Sequence, residues 1–165
     1  MCSSDLPVVF EGTGATNGVL HRFSGRHLDI EARFTLLDHD KDKVGLTLLA
    51  APDGSEVTRV VFWPDARRLS IIRSHSSLEA RVRRQDVHGH LELDPGEPLR
   101  LRVLLDASVL EVYANDRLCL ATRLYPTQAT GTLGSVFVEG KSTAVVQAWE
   151  MGAMLPAERA PLKLA

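Results

Sequence analysis

The sequence has little of what marks several specialised protein classes. It contains only two cysteines, and we interpret Cys119, on the apolar side of a predicted strand, as a small core residue rather than a disulfide partner or a nucleophile. Nineteen basic and 21 acidic residues give a net charge of −2, which lacks the basic field that nucleic-acid binding needs. No apolar run approaches the roughly 18 residues of a membrane span. We therefore expect neither nucleic-acid nor membrane partners.

Common catalytic motifs are also missing. The chain has no Gly-x-Ser-x-Gly elbow, no Walker loop and no Gly-x-Gly-x-x-Gly. His88 and His90 share one face of a predicted strand, but no cysteine or obvious third ligand accompanies them. We therefore predict no metal site and no cofactor.

Residues 38–43, DHDKDK, partly match the start of a calcium-binding loop. Aspartates alternate there, as they do at the start of an EF-hand loop. However, Lys43 stands where that loop needs glycine and Leu49 where it needs glutamate. We predict a solvated hairpin loop instead.

What the sequence does contain is an ordinary globular composition, with 44% hydrophobic and 24% charged residues. One domain is expected at 165 residues. The start MCSSDL has neither the basic segment nor the apolar core of a signal peptide, and its codons would match the end of a common sequencing adapter. We therefore expect residues 1–6 to be a non-native start, residues 7–151 to form the domain and residues 152–165 to be a flexible tail.

Strand signals recur along the whole chain. Apolar and polar residues alternate through His27–Leu37, and β-branched runs such as Glu56–Trp63 are bounded by turns. Val44–Ala51 is expected to return from the first of these strands, Ala80–Val82 to be a short strand, and residues 131–150 to form a final hairpin around Gly140. Counting all such segments gives eleven or twelve strands and no convincing helix. The predicted fold is an all-β, two-sheet antiparallel sandwich of the concanavalin-like or jelly-roll type, with a closed barrel as the alternative.

The stretch Leu99–Pro126 gives the clearest strand pattern. It reads as three strands joined by two-residue loops at Asp106-Ala107 and Asn115-Asp116. This register places Arg102 opposite Glu111 and collects one apolar face, whose predicted members are Leu101, Val103, Leu110, Val112, Cys119 and Ala121.

Aromatic side chains are the best candidates for a binding role, because sugar sites commonly offer flat aromatic faces beside polar groups. Trp63, Tyr113, Tyr125 and Trp149 are the candidates among the aromatics. For each of them we favour core or rim packing over a sugar platform, since aromatics dominate core burial.

The same stretch resembles the C-terminal β-sandwich domain of glycoside hydrolase family 32, the invertase, levanase and inulinase enzymes. The matching residues are Leu-Arg-Val-x-x-Asp at 101–106, Ser108, Glu-Val-Tyr-Ala-Asn at 111–115 and Thr-Arg-Leu-Tyr-Pro at 122–126. Looser matches are Val44-Gly45-Leu46 with Pro52-Asp53-Gly54, Arg73–Ser77 and Trp149. Ile72 departs from an aspartate that is common in the family. The resemblance covers about residues 25–151.

The resemblance implies a supporting role rather than catalysis. In such enzymes the catalytic residues lie in an N-terminal five-bladed propeller, in Trp-x-Asn-Asp-Pro-Asn-Gly, Glu-Cys and Arg-Asp-Pro motifs. The Asn-Asp of this chain is followed by Arg117, its Asp-Pro is preceded by Leu93, and no cysteine follows a glutamate. Whether the chain counts as an enzyme is therefore uncertain, and no catalytic residue is predicted within it.

Two functions stay open from the sequence. The chain is a non-catalytic sandwich module of an enzyme that hydrolyses β-fructosyl bonds in sucrose or fructans, with the propeller as its partner, or it is a free-standing lectin-like module that binds fructan or another glycan. Either cytoplasmic or secreted localisation of the parent enzyme is compatible with both. The candidate residues for carbohydrate binding or a domain interface are Trp63, His75, Tyr113, Arg123 and Tyr125.

Overall fold

The computed structural model describes residues 8–15, 18–38 and 41–152, and these segments form twelve β-strands and no helix. The predicted non-native start and nearly all of the predicted tail lie outside the described residues. The strands are β1 (Val8–Ala15), β2 (Gly18–Ser24), β3 (His27–Thr35), β4 (Lys43–Ala50), β5 (Thr58–Trp63), β6 (Arg68–Ile72), β7 (Val87–His90), β8 (Leu99–Asp106), β9 (Val109–Ala114), β10 (Leu118–Arg123), β11 (Leu133–Glu139) and β12 (Thr143–Glu150).

The strands form two separate six-stranded antiparallel sheets. Sheet I has the order β1-β12-β3-β8-β9-β10, and sheet II has the order β2-β11-β4-β5-β6-β7. The predicted sandwich is therefore confirmed. The closed-barrel alternative is wrong, because every strand pairing in the described residues stays within one sheet.

The core lies between the sheets and follows from period-two alternation. In β8 the even-numbered residues face outward, whereas Leu99, Leu101, Val103 and Leu105 are at most 3% exposed. At one lateral edge Gly89 of β7 lets the sheets approach, since a Cβ there would lie 2.7 Å from the side chain of Leu118. The largest fully buried side chains are Phe34, Phe62, Leu28, Ile30, Leu46, Leu48, Leu69, Ile71, Leu99, Leu105, Leu110 and Leu124.

The predicted meander forms, but its first turn lies one residue later than expected. Asp106 stays in β8 opposite Val109, so Ala107-Ser108 is the two-residue loop and Ala107 adopts a φ of 49°. Arg102 consequently lies opposite Tyr113 rather than Glu111. The predicted Arg102–Glu111 pair is wrong, because the Arg102 Nη2 atom binds the Oδ2 atom of Asp29 at 2.8 Å.

The second turn also differs from the prediction and reverses which side chains of β10 are buried. It contains three residues, 115–117, since Ala114 lies opposite Leu118. Cys119 then lies opposite Tyr113 on the outer face and is exposed, as is Ala121. The interpretation of Cys119 as a core residue is therefore wrong; Leu120 occupies that role, with 6% exposure.

Two predicted hairpins are connections between sheets. β3 belongs to sheet I and β4 to sheet II, and likewise β11 belongs to sheet II and β12 to sheet I. The predictions of a returning strand at Val44–Ala51 and of a final hairpin are therefore wrong about pairing, although the strands exist. Alternation along a strand shows which face is buried, but it does not show which sheet the strand joins.

Two smaller local predictions are also corrected. Asp42, expected in a solvated loop, is 1% exposed. Residues 80–82 do not form a strand but lie within the long connection 73–86. None of the described segments forms a helix of the length and apolarity that crossing a bilayer requires.

Candidate docking site at the loop end

The two ends of the sandwich differ in their connections. We call one the loop end, where β1 begins at Val8 and β12 finishes at Glu150. We call the other the turn end. The loop end carries the connections 25–26, 51–57, 73–86, 107–108 and 124–132, and the turn end carries the connections from β3 to β4, β5 to β6, β7 to β8, β9 to β10 and β11 to β12.

A buried carboxylate joins the three long connections of the loop end. Glu56 is 0% exposed. Its Oε1 atom accepts a hydrogen bond from the backbone N–H of Leu78 at 2.8 Å and from Thr127 Oγ1 at 2.7 Å, and its Oε2 atom accepts one from the N–H of Gln128 at 2.9 Å. One side chain thus ties the connections 51–57, 73–86 and 124–132 together.

The same hydrogen bonds set the charge of Glu56. Burial alone would raise the pKa of this carboxyl, but the hydrogen bonds from Thr127, Gln128 and Leu78 outweigh burial and hold the pKa below its ordinary value. Glu56 is therefore ionised at neutral pH, and its negative charge is matched by backbone N–H groups.

A buried arginine links the loop end across the two sheets. The guanidinium of Arg73 donates to the carbonyl of Gln85 from Nε at 2.8 Å and to the carbonyl of Arg123 from Nη1 at 2.8 Å. The backbone N–H of Arg73 donates to Asp86 Oδ1 at 2.7 Å. Because Arg123 closes β10 of sheet I, this side chain fixes the 73–86 connection of sheet II against the other sheet.

The ordered loops present apolar and basic side chains to solvent. Leu78 is 52% exposed, Tyr125 49% and Leu133 39%, and all three lie at the loop end. Beside Tyr125 is an open cleft of about 460 Å³, lined by Arg73, Arg81, Val82, Arg83, Thr122, Arg123 and Tyr125. Exposed apolar groups with a polar rim are typical of a protein interaction surface.

The structure brings three of the five predicted site residues to this end and separates the other two. Arg123 and Tyr125 line the same cleft, and His75 lies in the 73–86 connection, where its carbonyl accepts from the N–H of Val57 at 2.8 Å. Trp63 instead lies on the outer face of sheet II.

Tyr113 lies on the outer face of sheet I and is 40% exposed. Its hydroxyl donates to Glu111 Oε2 at 3.1 Å, and this carboxylate raises the pKa of the phenol. Tyr113 is the next-to-last residue of β9, which ends at the turn end, so it lies away from the loop end.

Sequence reasoning did not identify Glu56 or Leu78. An acidic residue at the start of a strand has the same pattern as a solvated one, and only the tertiary structure brings Thr127 to it. Arg73 was signalled by the resemblance of residues 73–77 to a family segment.

Two buried carboxylates, Asp42 and Glu56, do not have the raised pKa of a glycosidase acid. A general acid needs a raised pKa. Burial opposes ionisation of Asp42, but hydrogen bonds from Ser142, Lys141, Asp38 and Leu37 lower its pKa, as the equivalent bonds do for Glu56. Both groups hold backbone in place and remain ionised near neutral pH.

One histidine of the pair considered for metal binding contacts a buried serine. His88 Nδ1 lies 2.7 Å from Ser70 Oγ, and Ser70 is 0% exposed. Within the described part of the chain, no group of three or more His, Cys, Asp or Glu side chains is placed to hold a metal ion.

Residues 7–150 match the family model described as "Glycosyl hydrolases family 32 C terminal". The chain belongs to this family. The match covers the whole sandwich and includes the loop-end residues Glu56, Arg73, Arg123 and Tyr125. The resemblance drawn from the sequence is thereby confirmed.

Curated relatives are β-fructofuranosidases and a fructosyltransferase. The chain is 32% identical over 142 residues to a β-fructofuranosidase, insoluble isoenzyme 3, of Oryza sativa subsp. japonica, covering 74% of this chain and 24% of the relative. It is 32% identical over 120 residues to the acid β-fructofuranosidase of Vigna radiata var. radiata, covering 65% of this chain and 18% of the relative. The chain thus spans a quarter or less of these two β-fructofuranosidases.

Solved structures agree with the fold. The β-fructofuranosidase of Aspergillus kawachii, complexed with glycerol, superposes with a TM-score of 0.72 at 26% identity and covers 87% of this chain and 27% of that one. A fructosyltransferase from A. japonicus gives 0.77 at 22% identity, over 94% and 28% of the two chains, which supports the fold alone. The family 32 sandwich therefore corresponds to one part of longer proteins.

Proposed function

We propose that this chain is the non-catalytic C-terminal sandwich module of an enzyme that hydrolyses β-fructosyl bonds in sucrose or fructans, and that its loop end docks the catalytic propeller. The observation that carries the proposal is the surface formed by Leu78, Tyr125 and the arginine cleft. It is held in one shape by Glu56 and Arg73, as a permanent interface requires.

The end of the sandwich at which β1 begins also supports docking through the loop end. The chain matches a family model of a C-terminal domain, so a domain that precedes it would connect through the segment before Val8. β1 begins at the loop end, so a preceding domain would be tethered beside this surface. Interfaces between domains of one chain bury roughly 600–1,500 Å², and we expect the loop end to bury an area in this range.

The chemistry of the chain supports a non-catalytic role. A retaining glycosidase needs two carboxyl groups about 5–5.5 Å apart across the scissile bond. The sequence matches none of the three motifs that carry these groups in the family. The buried carboxylates Asp42 and Glu56 are saturated by hydrogen bonds from the chain itself.

The direct test transplants the module. Residues 7–165 replace the corresponding C-terminal part of the A. kawachii β-fructofuranosidase, and soluble yield and sucrose hydrolysis are measured. We expect the chimaera to remain soluble and active. The double variant Leu78→Ser, Tyr125→Ser should lose soluble yield, because the two serines remove the apolar contacts through which the surface docks. Leu37→Ser, which alters an exposed leucine at the turn end, is the matched control.

The isolated 165-residue chain tests the non-catalytic role separately. We expect no release of fructose from sucrose, inulin or levan above the buffer rate. Hydrolysis that is retained through purification and lost with Glu56→Gln would contradict the proposal.

A second candidate is a free-standing lectin-like module that binds fructan or another glycan. The aromatic groove that Trp63 lines on the outer face of sheet II favours it. The two functions differ in one outcome: a free-standing module needs no propeller, so its chimaera would gain nothing from an intact loop-end surface.

A further inference from the structure

The outer face of sheet II contains a groove whose floor is unusually apolar for a solvent-facing surface. The groove has a volume of about 450 Å³, within the range of roughly 300–1,000 Å³ that small-molecule sites occupy. Its apolar members are Val61, Trp63, Ile72 and Phe137. Val61 is only 3% exposed although it faces away from the core.

A glycine explains how the groove is shaped. Gly45 of β4 lies between Val61 of β5 and Phe137 of β11. A Cβ at Gly45 would lie 2.9 Å from Phe137 Cζ and 2.0 Å from the carbonyl oxygen of Val60. The missing side chain thus lets the ring of Phe137 lie over the sheet and cover Val61.

The aromatic wall on the other side is held in place. The guanidinium carbon of Arg68 lies 4.9 Å from the centroid of the Trp63 ring, a cation–π distance. Arg68 and Trp63 are direct neighbours across β5 and β6. The indole is therefore fixed by one of its faces and lines the groove beside Ile72.

The rim of the groove supplies both donors and acceptors. Lys43 Nζ and Glu139 Oε2 form an ion pair at 2.6 Å. The side chains of Thr47 and Arg59, which also line the groove, have no hydrogen bond or ion pair within the described part of the chain. Two polar groups beside two aromatic rings are therefore available to a ligand.

We propose that this groove binds a saccharide. A sugar ring has an apolar C–H face that packs on Trp63 and Phe137, and hydroxyl groups that both donate and accept at the rim. A purely apolar ligand would remove Arg59 and Thr47 from water without replacing their hydrogen bonds, which is costly. A multivalent anion would be repelled by the carboxylate of Glu139, which also lines the groove.

The groove is separate from the docking surface. It lies on a sheet face, whereas the propeller is proposed to dock at the loop end, so the inference does not depend on docking. It rests on the second candidate function, glycan binding, and assigns the site for it; the chimaera tests docking and the titration below tests the groove. An open sheet face also leaves room for a chain of several sugar units to extend beyond the groove.

The two tryptophans of the chain make the test direct, because only one lies in the groove. Trp149 is on β12 of sheet I. The full 165-residue chain is titrated with inulin, levan, sucrose and cellohexaose while tryptophan emission and heat are recorded. We expect a saturable signal with at least one of these saccharides that Trp149→Phe retains and Trp63→Leu loses.

Arg59→Gln gives an answer even if Trp63→Leu fails to fold, since it alters one exposed side chain. It should weaken binding about tenfold, the loss expected for one charge-assisted hydrogen bond. Arg33→Gln, exposed on the outer face of β3 in sheet I and not among the groove residues, removes the same charge and should leave binding unchanged. Absence of a saturable signal with all four saccharides, or equal loss in both arginine variants, would overturn the proposal.

Discussion

The loop end and the turn end of the sandwich each contain a buried carboxylate that accepts several hydrogen bonds from the chain. At the turn end Asp42 Oδ2 accepts from the N–H groups of Leu37 and Asp38 at 3.1 and 3.0 Å, and Oδ1 accepts from the N–H of Lys141 at 2.9 Å. Asp42 thereby joins two of the connections that pass between the sheets, β3 to β4 and β11 to β12. Glu56 instead joins the connections 51–57 and 73–86 within sheet II to the connection 124–132, which runs from sheet I to sheet II.

A second carboxylate strengthens the turn end. Glu97 accepts from Arg117 Nη2 and from Asn115 Nδ2, the latter at 2.8 Å. The backbone N–H of Asp94, then Asn115 and Arg117, lower the pKa of Glu97 to about 2. Asp42 and Glu97 thus hold the connections of the turn end together at two places.

The two buried carboxylates therefore have different structural roles. Asp42 holds the relative position of the sheets, so its loss affects the whole fold. Glu56 holds the shape of a surface that presents Leu78 and Tyr125 to solvent, so its loss affects that surface first. Local opening of this kind can occur below the free energy of global unfolding.

The largest effect is expected from Asp42→Ala. The substitution leaves the backbone N–H groups of Leu37, Asp38 and Lys141 without their acceptor, and each unsatisfied buried donor costs about 1–3 kcal/mol. Because water can reach part of the site, we expect the free energy of unfolding in urea to fall by about 3 kcal/mol.

Asp65→Ala is the matched control for this change. Asp65 is an exposed aspartate in a turn at the same end, and its loss should cost no more than about 0.5 kcal/mol. Equal effects of the two alanine variants would show that Asp42 does not hold the sheet connections.

Glu56→Gln should have a smaller effect that depends on pH. Folding lowers the pKa of Glu56, so its carboxylate stabilises the fold fully above the glutamate pKa of about 4.3 in the unfolded chain. That contribution disappears as the pH falls through the lower folded value. We expect the variant to be about 1–2 kcal/mol less stable at pH 7, with the difference shrinking below about pH 4.

Two measurements check this prediction. Urea unfolding at pH 7 and pH 3 gives the pH dependence, and amide exchange of Leu78, Thr127 and Gln128 should accelerate more than that of the core strands. Glu92→Gln removes an exposed carboxylate as the control. A pH-independent loss would mean that the charge of Glu56 is not what binds the connections.

The strands of both ends could be predicted from the sequence, but their turns only approximately. When only one face of a strand is buried, apolar and polar residues alternate along it. This alternation correctly placed Leu101, Val103, Leu110 and Val112 on the buried face. The turn after β8 was misplaced since Asp106 is a good turn residue. In the structure its carboxylate lies 2.7 Å from His27 Nδ1, and it continues the strand opposite Val109.

The candidate site was predictable only where a family pattern marks it. Arg73, Arg123 and Tyr125 belong to segments that resemble family 32, and they meet at the loop end. Glu56 has no local signal, because its partners are more than twenty positions away in sequence. Leu78 also has none, since an exposed leucine has the same local pattern as a buried one.

Arg73→Lys should loosen the loop end without affecting the turn end. Lysine has no planar fork to reach the carbonyls of Gln85 and Arg123 together, so we expect a loss of about 1 kcal/mol and faster amide exchange confined to residues 73–86. Arg81→Lys is the control, because Arg81 is 90% exposed and pairs with Glu79 alone at 3.2 Å. Faster exchange at residues 140–142 would contradict the independence of the two ends.

The smallest effect on stability, and the sharpest on association, is expected from the exposed leucines of the two ends. An uncovered docking surface favours self-association, so the isolated chain should sediment faster as its concentration rises. Leu78→Ser should reduce this dependence because it removes an apolar contact at the loop end. Leu37→Ser, at 63% exposure in the wild-type side chain, removes the same chemistry at the turn end and should not. Both changes should alter the free energy of unfolding by less than about 0.5 kcal/mol. A monodisperse native chain, or an equal response to both substitutions, would mean that the loop end does not differ from the rest of the surface.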